Sequence, residues 1–121
     1  MNVIGVHHVS IGVTDIAAGI AFYQLLGMSQ ITNRPDFAVD GAWLQAGNHQ
    51  LHLIHTDKVA PGAQNHYALQ VANLDDCLSE LERLGVAAVR LPYFEVAGHQ
   101  AFLQDPSGNV VELNQPPSNA N

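Results

Sequence analysis

The sequence predicts an α+β fold made of two tandem β-α-β-β-β modules, and three observations lead there. Residues 7–28 (HHVSIGVTDIAAGIAFYQLLGM) align without a gap on residues 65–86 (NHYALQVANLDDCLSELERLGV), 58 positions apart (8 to 66). In that alignment His8 meets His66, Ile11 meets Leu69, Val13 meets Val71, Ile16 meets Leu74, and Leu26-Gly27 meets Leu84-Gly85. A second match follows 60 positions apart (52 to 112), where Gln50-Leu51-His52-Leu53 falls on Val110-Val111-Glu112-Leu113. Finally, each copy passes from alternating polarity to helical spacing and then to short runs separated by turns.

The elements follow in order. Residues 6–13 alternate as a strand with one buried face does. Thr14 or Asp15 caps a helix on which Ile16, Ile20, Tyr23 and Leu26 recur at helical spacing, and Gly27 ends it. Strands are expected over about 28–32, 41–46 and 50–55. Turns are marked by Arg34-Pro35-Asp36 and Gly47-Asn48. In the second copy Asn73 caps a helix with Leu74, Leu78, Leu81 and Leu84 as its apolar stripe and Gly85 as its stop. Strands over about 87–92, 99–104 and 109–114 complete it, the last two joined by Asp105-Pro106-Ser107-Gly108-Asn109.

The 121 residues suit one domain, and 47% hydrophobic content supplies a core of that size. Module 1 occupies about 5–56, a linker about 57–64, module 2 about 65–114, and a polar flexible tail 115–121. Four Lys plus Arg against 11 acids give a formal charge of −7, which argues against nucleic acid and anionic membranes as partners. No apolar run nears the roughly 20 residues of a membrane span. Residues 1–6 lack the basic start and long apolar stretch of a secretory signal. Cys77 is the sole cysteine, so no intrachain disulfide forms, and a cytoplasmic protein is expected.

Seven histidines are many for so few basic residues, and strand parity sorts them, because alternate side chains share a face. If Val9, Ile11 and Val13 face the helix, His8 faces away. The same holds for His66 against Tyr67, Leu69 and Val71, for His52 against Leu51 and Leu53, and for Glu112 against Val111 and Leu113. Each of these strands then offers one good ligand on its helix-free face. An ionised Glu there is costly to desolvate alone, whereas a divalent cation offsets that cost and accepts neutral imidazoles. Three nitrogens and one carboxylate suit nickel, zinc, iron, manganese or cobalt rather than calcium or magnesium. His7 and His55 have the wrong parity, and His49 and His99 sit at strand edges or turns, so these four are read as structural or surface residues.

The motifs H-V-S-I-G-V-T-D-I and F-Y-Q-L-L-G in module 1, N-H-Y-A-L-Q-V in module 2 and D-P-S-G-N-V-V-E-L at the end resemble the vicinal-oxygen-chelate superfamily. That group holds glyoxalase I, extradiol dioxygenases, methylmalonyl-CoA epimerase, fosfomycin-resistance thiol transferases and bleomycin-binding proteins. The stretch R-P-D-F…G-A-W-L followed by Q-L-H-L-I is similar to glyoxalase-I-like members. The resemblance implies a curved mixed sheet forming a cup, helices on its outer face, and one divalent transition metal per site. The recurrent ligands match His8, His66 and Glu112; the fourth falls at His52, where glyoxalase I carries a carboxylate. Two positions that glyoxalase I fills with Arg and Asn are Gly12 and Thr56, which puts glutathione as the thiol in question. The resemblance also implies a homodimer in which His8 and His52 meet His66 and Glu112 of the partner subunit. Pairing within one chain fits the sequence equally well.

The function so implied is a metal-dependent lyase or isomerase of the glyoxalase I type. The ion would bind vicinal oxygens of a small carbonyl substrate and stabilise an enediolate, with Glu112 as general base. Trp43 and Phe102 line the pocket or belong to the ordinary core. Arg34 holds a substrate carboxylate or serves the Arg-Pro-Asp turn. Alternatives are an Fe(II) extradiol dioxygenase using His8, His66 and Glu112, which His52 opposes by filling a needed position, and a non-catalytic sequestering protein of the bleomycin-resistance type.

Overall fold

A computed structural model of the chain describes residues 1–59 and 65–118. Residues 60–64 of the expected linker and 119–121 of the expected tail lie outside the described residues. The elements are β1 (His8–Val13), α1 (Ile16–Leu25), β2 (Ser29–Ile31), β3 (Gly41–Ala46), β4 (His49–His55), β5 (His66–Gln70), α2 (Leu74–Arg83), β6 (Val89–Arg90), β7 (His99–Gln104) and β8 (Val110–Gln115). The fold is α+β, with two open four-stranded mixed sheets of matching topology. One runs β1-β4-β3-β2 and the other β5-β8-β7-β6. In each, the first strand of the module lies parallel to the last, and the remaining pairs are antiparallel.

The chain divides into two compact units. The first contains β1, α1, β2, β3 and β4 together with Asp105–Asn109; the second contains β5, α2, β6, β7 and β8. In the first unit Asp15, rather than Thr14, caps α1, its carboxylate accepting from the Ala18 amide at 3.0 Å. Gly27 follows the helix at φ 93°, a conformation that favours glycine. The sequence pattern points to an Ile16–Ile20–Tyr23–Leu26 stripe, but the buried face is Gly19, Phe22 and Tyr23. The reason is close approach: a Cβ on Gly19 would stand 3.0 Å from Leu53 Cδ1, so the helix backbone lies directly on the sheet. That contact turns the i, i+3 and i+4 positions inward. The core around them is Val13, Ala42, Leu44, Leu51 and Leu53.

Asp105–Asn109 builds a polar knot in this unit. The buried Asp105 carboxylate accepts from Tyr23 Oη at 2.7 Å and from Asn109 Nδ2, Ser107 N and Asn109 N at 2.9 Å each. Asn109 Nδ2 also donates to the Gly12 carbonyl at 2.7 Å, and the Thr14 amide donates to Ser107 Oγ at 2.9 Å.

In the second unit Asn73 caps α2 by accepting from the Asp76 amide at 2.9 Å. Asp75 and Asp76 in the first turn and Arg83 in the last match the helix dipole. Leu74 and Leu81 are buried, Leu78 is half-buried, and Leu84, past the helix end, is exposed. The strand β8 extends to Gln115, whose Oε1 accepts from the Leu74 amide at 2.8 Å. Ala101, Leu103, Val111 and Leu113 complete this core. Among the described residues no helix is long and apolar enough to cross a membrane.

Candidate metal centre

In the first unit, parallel pairing sets Ser10 opposite His52, with His8 two residues earlier on the same face of β1. Val13 and Leu53 point towards α1, as their approach to Gly19 requires, which leaves His8 and His52 on the helix-free side. The two imidazoles stack, with centroids 4.0 Å apart and planes 16° apart. Trp43, opposite His52 in β3, stacks on the other side at 4.5 Å and 11°. His52 is 9% exposed, whereas His8 is exposed. Burial pushes the His52 pKa down, and His8, His7 and Arg34 push it the same way, so the ring is held neutral. Its Nε2 lies 2.8 Å from Gln50 Oε1, which places the hydrogen on Nε2 and the lone pair on Nδ1.

In the second unit the register repeats: Ala68 stands opposite Glu112, with His66 two residues earlier on β5. His66 Nε2 lies 3.0 Å from Glu112 Oε1. Gln100 Nε2 donates to Glu112 Oε2 at 2.8 Å and Asn114 Nδ2 at 3.1 Å, Asn114 being steadied by the Ala97 carbonyl at 3.0 Å. Burial pushes the Glu112 carboxyl up, but the hydrogen bonds from Gln100, Asn114 and His66, with the His66 charge, outweigh it. The carboxyl is therefore held below its ordinary range, an anion at only 6% exposure.

The structure thus brings the sequence-predicted ligands together as two pairs, His8 with His52 and His66 with Glu112. Among the described residues no three His, Cys, Asp or Glu side chains form a cluster able to hold an ion. The donor types fit a borderline transition metal: imidazole nitrogens and an oriented carboxylate. One adjustment is needed. A single ion cannot lie in both planes of two nearly parallel stacked rings, so one ring, the exposed His8 rather than the buried His52, must turn if both ligate.

Phe102 stands opposite Glu112 in β7 and meets the His66 ring edge at 5.1 Å. Arg34, on the β2–β3 connection, donates from Nη2 to the Val39 carbonyl at 2.9 Å and lies 4.9 Å from the Phe37 ring centre. His7, excluded by parity, approaches His8 with their Nδ1 atoms 2.9 Å apart. His49 and His55 are exposed, and His99 packs on Tyr93. Sequence reasoning gave no role to Gln50, Gln100 and Asn114. The available signal was their i±2 spacing from His52, Phe102 and Glu112, which puts each on a ligand-bearing face.

The family model described as Glyoxalase/Bleomycin resistance protein/Dioxygenase superfamily matches residues 5–113. No curated protein matches the sequence. Among solved structures, the chain is similar to a protein described as of the glyoxalase family from Bacillus anthracis, at 23% identity and TM-score 0.84, covering 96% of this chain and 98% of that one. It is also similar to a variant of the fosfomycin resistance protein FosX from Listeria monocytogenes, in complex with Mn(II) and a dihydroxypropylphosphonic acid. That match has 18% identity and TM-score 0.82 and covers 97% and 95% of the two chains. A third is TnmS3, an antibiotic-binding protein from Streptomyces sp. CB03234, at 26% identity and TM-score 0.75, covering 96% and 98%. A fosfomycin resistance protein and an antibiotic-binding protein thus share this fold, and the chain belongs to the glyoxalase/bleomycin resistance/dioxygenase superfamily.

Proposed function

We propose that the protein is a metal-dependent lyase or isomerase of the glyoxalase I type, in which His8, His52, His66 and Glu112 hold one divalent transition metal. The observation that carries this reading is the repeated register. Each unit sets one histidine two positions before the strand partner of a second donor, and the only carboxylate of the set is ionised and fixed by two amides. The ion would supply Lewis-acid stabilisation of charge on two adjacent oxygens of a small carbonyl compound. Gln100 and Asn114 hold Glu112 Oε2, so Oε1, which faces His66 Nε2 at 3.0 Å, would take and return the substrate proton once released from the ion. His52, neutral and clamped between Trp43 and Gln50, keeps a lone pair available without needing to lose a proton. Assembly as a homodimer, with sites at the subunit interface, forms part of this proposal.

The test is elemental analysis of purified protein, followed by assay on methylglyoxal–thiol adducts after loading with nickel, zinc, iron, manganese or cobalt. Turnover with at least one metal is expected, and Glu112→Gln should abolish it while leaving the fold intact by circular dichroism. Substantial activity in that variant would reject Glu112 as the base.

A second reading, ligand sequestration without chemistry, is favoured by the ring ladder His8–His52–Trp43–Phe37 and by the likeness to an antibiotic-binding protein. A preparation that holds no metal and cannot be loaded would select it.

A further inference from the structure

We infer that Arg34 is an anion-binding residue on the ligand-bearing face of the first unit, and that the natural ligand carries a carboxylate or similar oxyanion on a small apolar body. This deepens the reading above by naming one end of the substrate, and it rests on that reading for the identity of the site.

The argument begins with placement. In β3, Gly41 and Trp43 are two residues apart and share a face, the one on which Trp43 stacks against His52. A Cβ on Gly41 would run into the Leu53 carbonyl oxygen and stand 2.8 Å from Arg34 Nη2, so the guanidinium lies close against Gly41, two residues from Trp43. A continuous series of ring contacts joins it to the histidines. Arg34 lies 4.9 Å from the Phe37 ring centre, Phe37 6.0 Å from Trp43, Trp43 4.5 Å from His52, and His52 4.0 Å from His8.

The second step concerns unspent bonding capacity. A guanidinium has five N–H donors. Nη2 is engaged with the Val39 carbonyl; Nε is shielded from solvent and has no hydrogen-bond partner among the described residues. No carboxylate lies within ion-pair distance of Arg34 among the described residues, although the chain carries 11 acids against four Lys plus Arg. Arg90, by contrast, is paired with Asp75. A half-buried cation with no opposite charge beside it recovers only part of its lost hydration from the Val39 carbonyl and the Phe37 ring. A bound oxyanion restores that loss, and the planar guanidinium fork matches a carboxylate or phosphonate in shape. The walls beside it, Phe37 and Trp43, are apolar, which suits a hydrocarbon stem between the anionic end and the histidines.

Trp43 is the single tryptophan, so its fluorescence reports on this place alone. Metal-free protein is titrated with phenylacetate and with its neutral isostere phenylacetamide, and the experiment is repeated with Arg34→Gln and Arg34→Lys. Wild type should bind phenylacetate at least about tenfold more tightly than the amide. Arg34→Gln should lose that preference while still binding the amide, which also shows that the variant has folded. Arg34→Lys should keep part of it, since the charge remains and the fork does not. Equal binding of the two probes by wild type, no change in Trp43 emission with either, or a preference that survives Arg34→Gln would each overturn the inference; the last would assign the anion to the histidines. Mn(II) affinity measured by calorimetry on the same proteins separates the two proposals. An Arg34→Gln variant that binds Mn(II) like wild type but has lost anion preference supports both. Absence of Mn(II) binding in wild type with anion preference intact removes only the metal reading.

Discussion

The two units reach the same backbone register and fix their donors by different physics. In the first, a neutral ring is clamped by rings: His52 lies between His8 and Trp43, with one amide at its edge. In the second, an anion is clamped by amides: Glu112 takes Gln100 and Asn114 on one oxygen and His66 on the other. Stacking fixes the plane of a ring with little dependence on charge, whereas charge-assisted bonds fix a carboxylate and also decide its protonation. A duplicated frame can therefore specify position while leaving each copy free to choose the ionisation state of the side chain it holds. The connections differ as well. β3 and β4 are joined by the short Gly47-Asn48 turn, whereas the segment between β7 and β8 carries a buried carboxylate that serves the first unit.

That last asymmetry offers the largest effect. Asp105→Ala strips the acceptor from Tyr23 Oη, from two backbone amides and from Asn109 Nδ2. It leaves the hydroxyl of a fully buried tyrosine without this partner. Hydrogen bonds to a charged acceptor and newly unsatisfied buried donors together place the cost at about 3 kcal/mol or more. Urea unfolding of metal-free protein measures it. Asp105→Asn, which retains one acceptor oxygen, should recover part of the loss; a cost below about 1 kcal/mol for the alanine variant would show the knot to be replaceable.

The fold was legible because repetition and periodicity are written in the sequence. The histidine pair 8 and 66 announces the duplication, and the alternation around positions 52 and 112 gives strand parity without any tertiary information. The buried face of α1 was not legible. Nearly every residue of IAAGIAFYQL is apolar or small, so spacing could not choose among faces, and the deciding contact, Gly19 on Leu53, is a tertiary close approach. Parity could place the candidate ligand residues on the helix-free face, but it could not show their clamps. Gln100 is 12 residues from Glu112, and only the β7–β8 register shows that its amide reaches the carboxylate. Asp105 looked like a turn residue, since nothing local marks Tyr23, 82 positions away, as its partner.

A matched pair of smaller substitutions sharpens the comparison between the clamps. Gln100→Ala removes one of the two amides from an ionised carboxylate, while Gln50→Ala removes a neutral amide from a neutral ring. Charge-assisted bonds are about twice as strong as neutral ones, so costs of about 1.5 and about 0.5–1 kcal/mol are expected in urea unfolding of the metal-free protein. Gln100→Ala should also raise the Glu112 pKa, which Gln50→Ala should leave unchanged. Equal costs would mean that the Glu112 cradle gains nothing from its charge.

The smallest effect separates the units by pH, and both contributions have the same sign. The His52 pKa is lowered on folding, so the unfolded chain takes up that proton first, and stability falls as pH drops through the ordinary imidazole range. The Glu112 pKa is also lowered, so its contribution is fully present above the ordinary carboxylate range and is lost only as pH falls through that range and below it. Acid should therefore weaken the metal-free protein in two stages, the first belonging to the ring clamp and the second to the amide cradle. Thermal unfolding across pH, in wild type, His52→Gln and Glu112→Gln, resolves them. His52→Gln should flatten only the stage near neutrality, and Glu112→Gln only the more acidic one. If either substitution flattens both stages, the two ligand pairs are energetically coupled, and the independence of the ring clamp and the amide cradle fails.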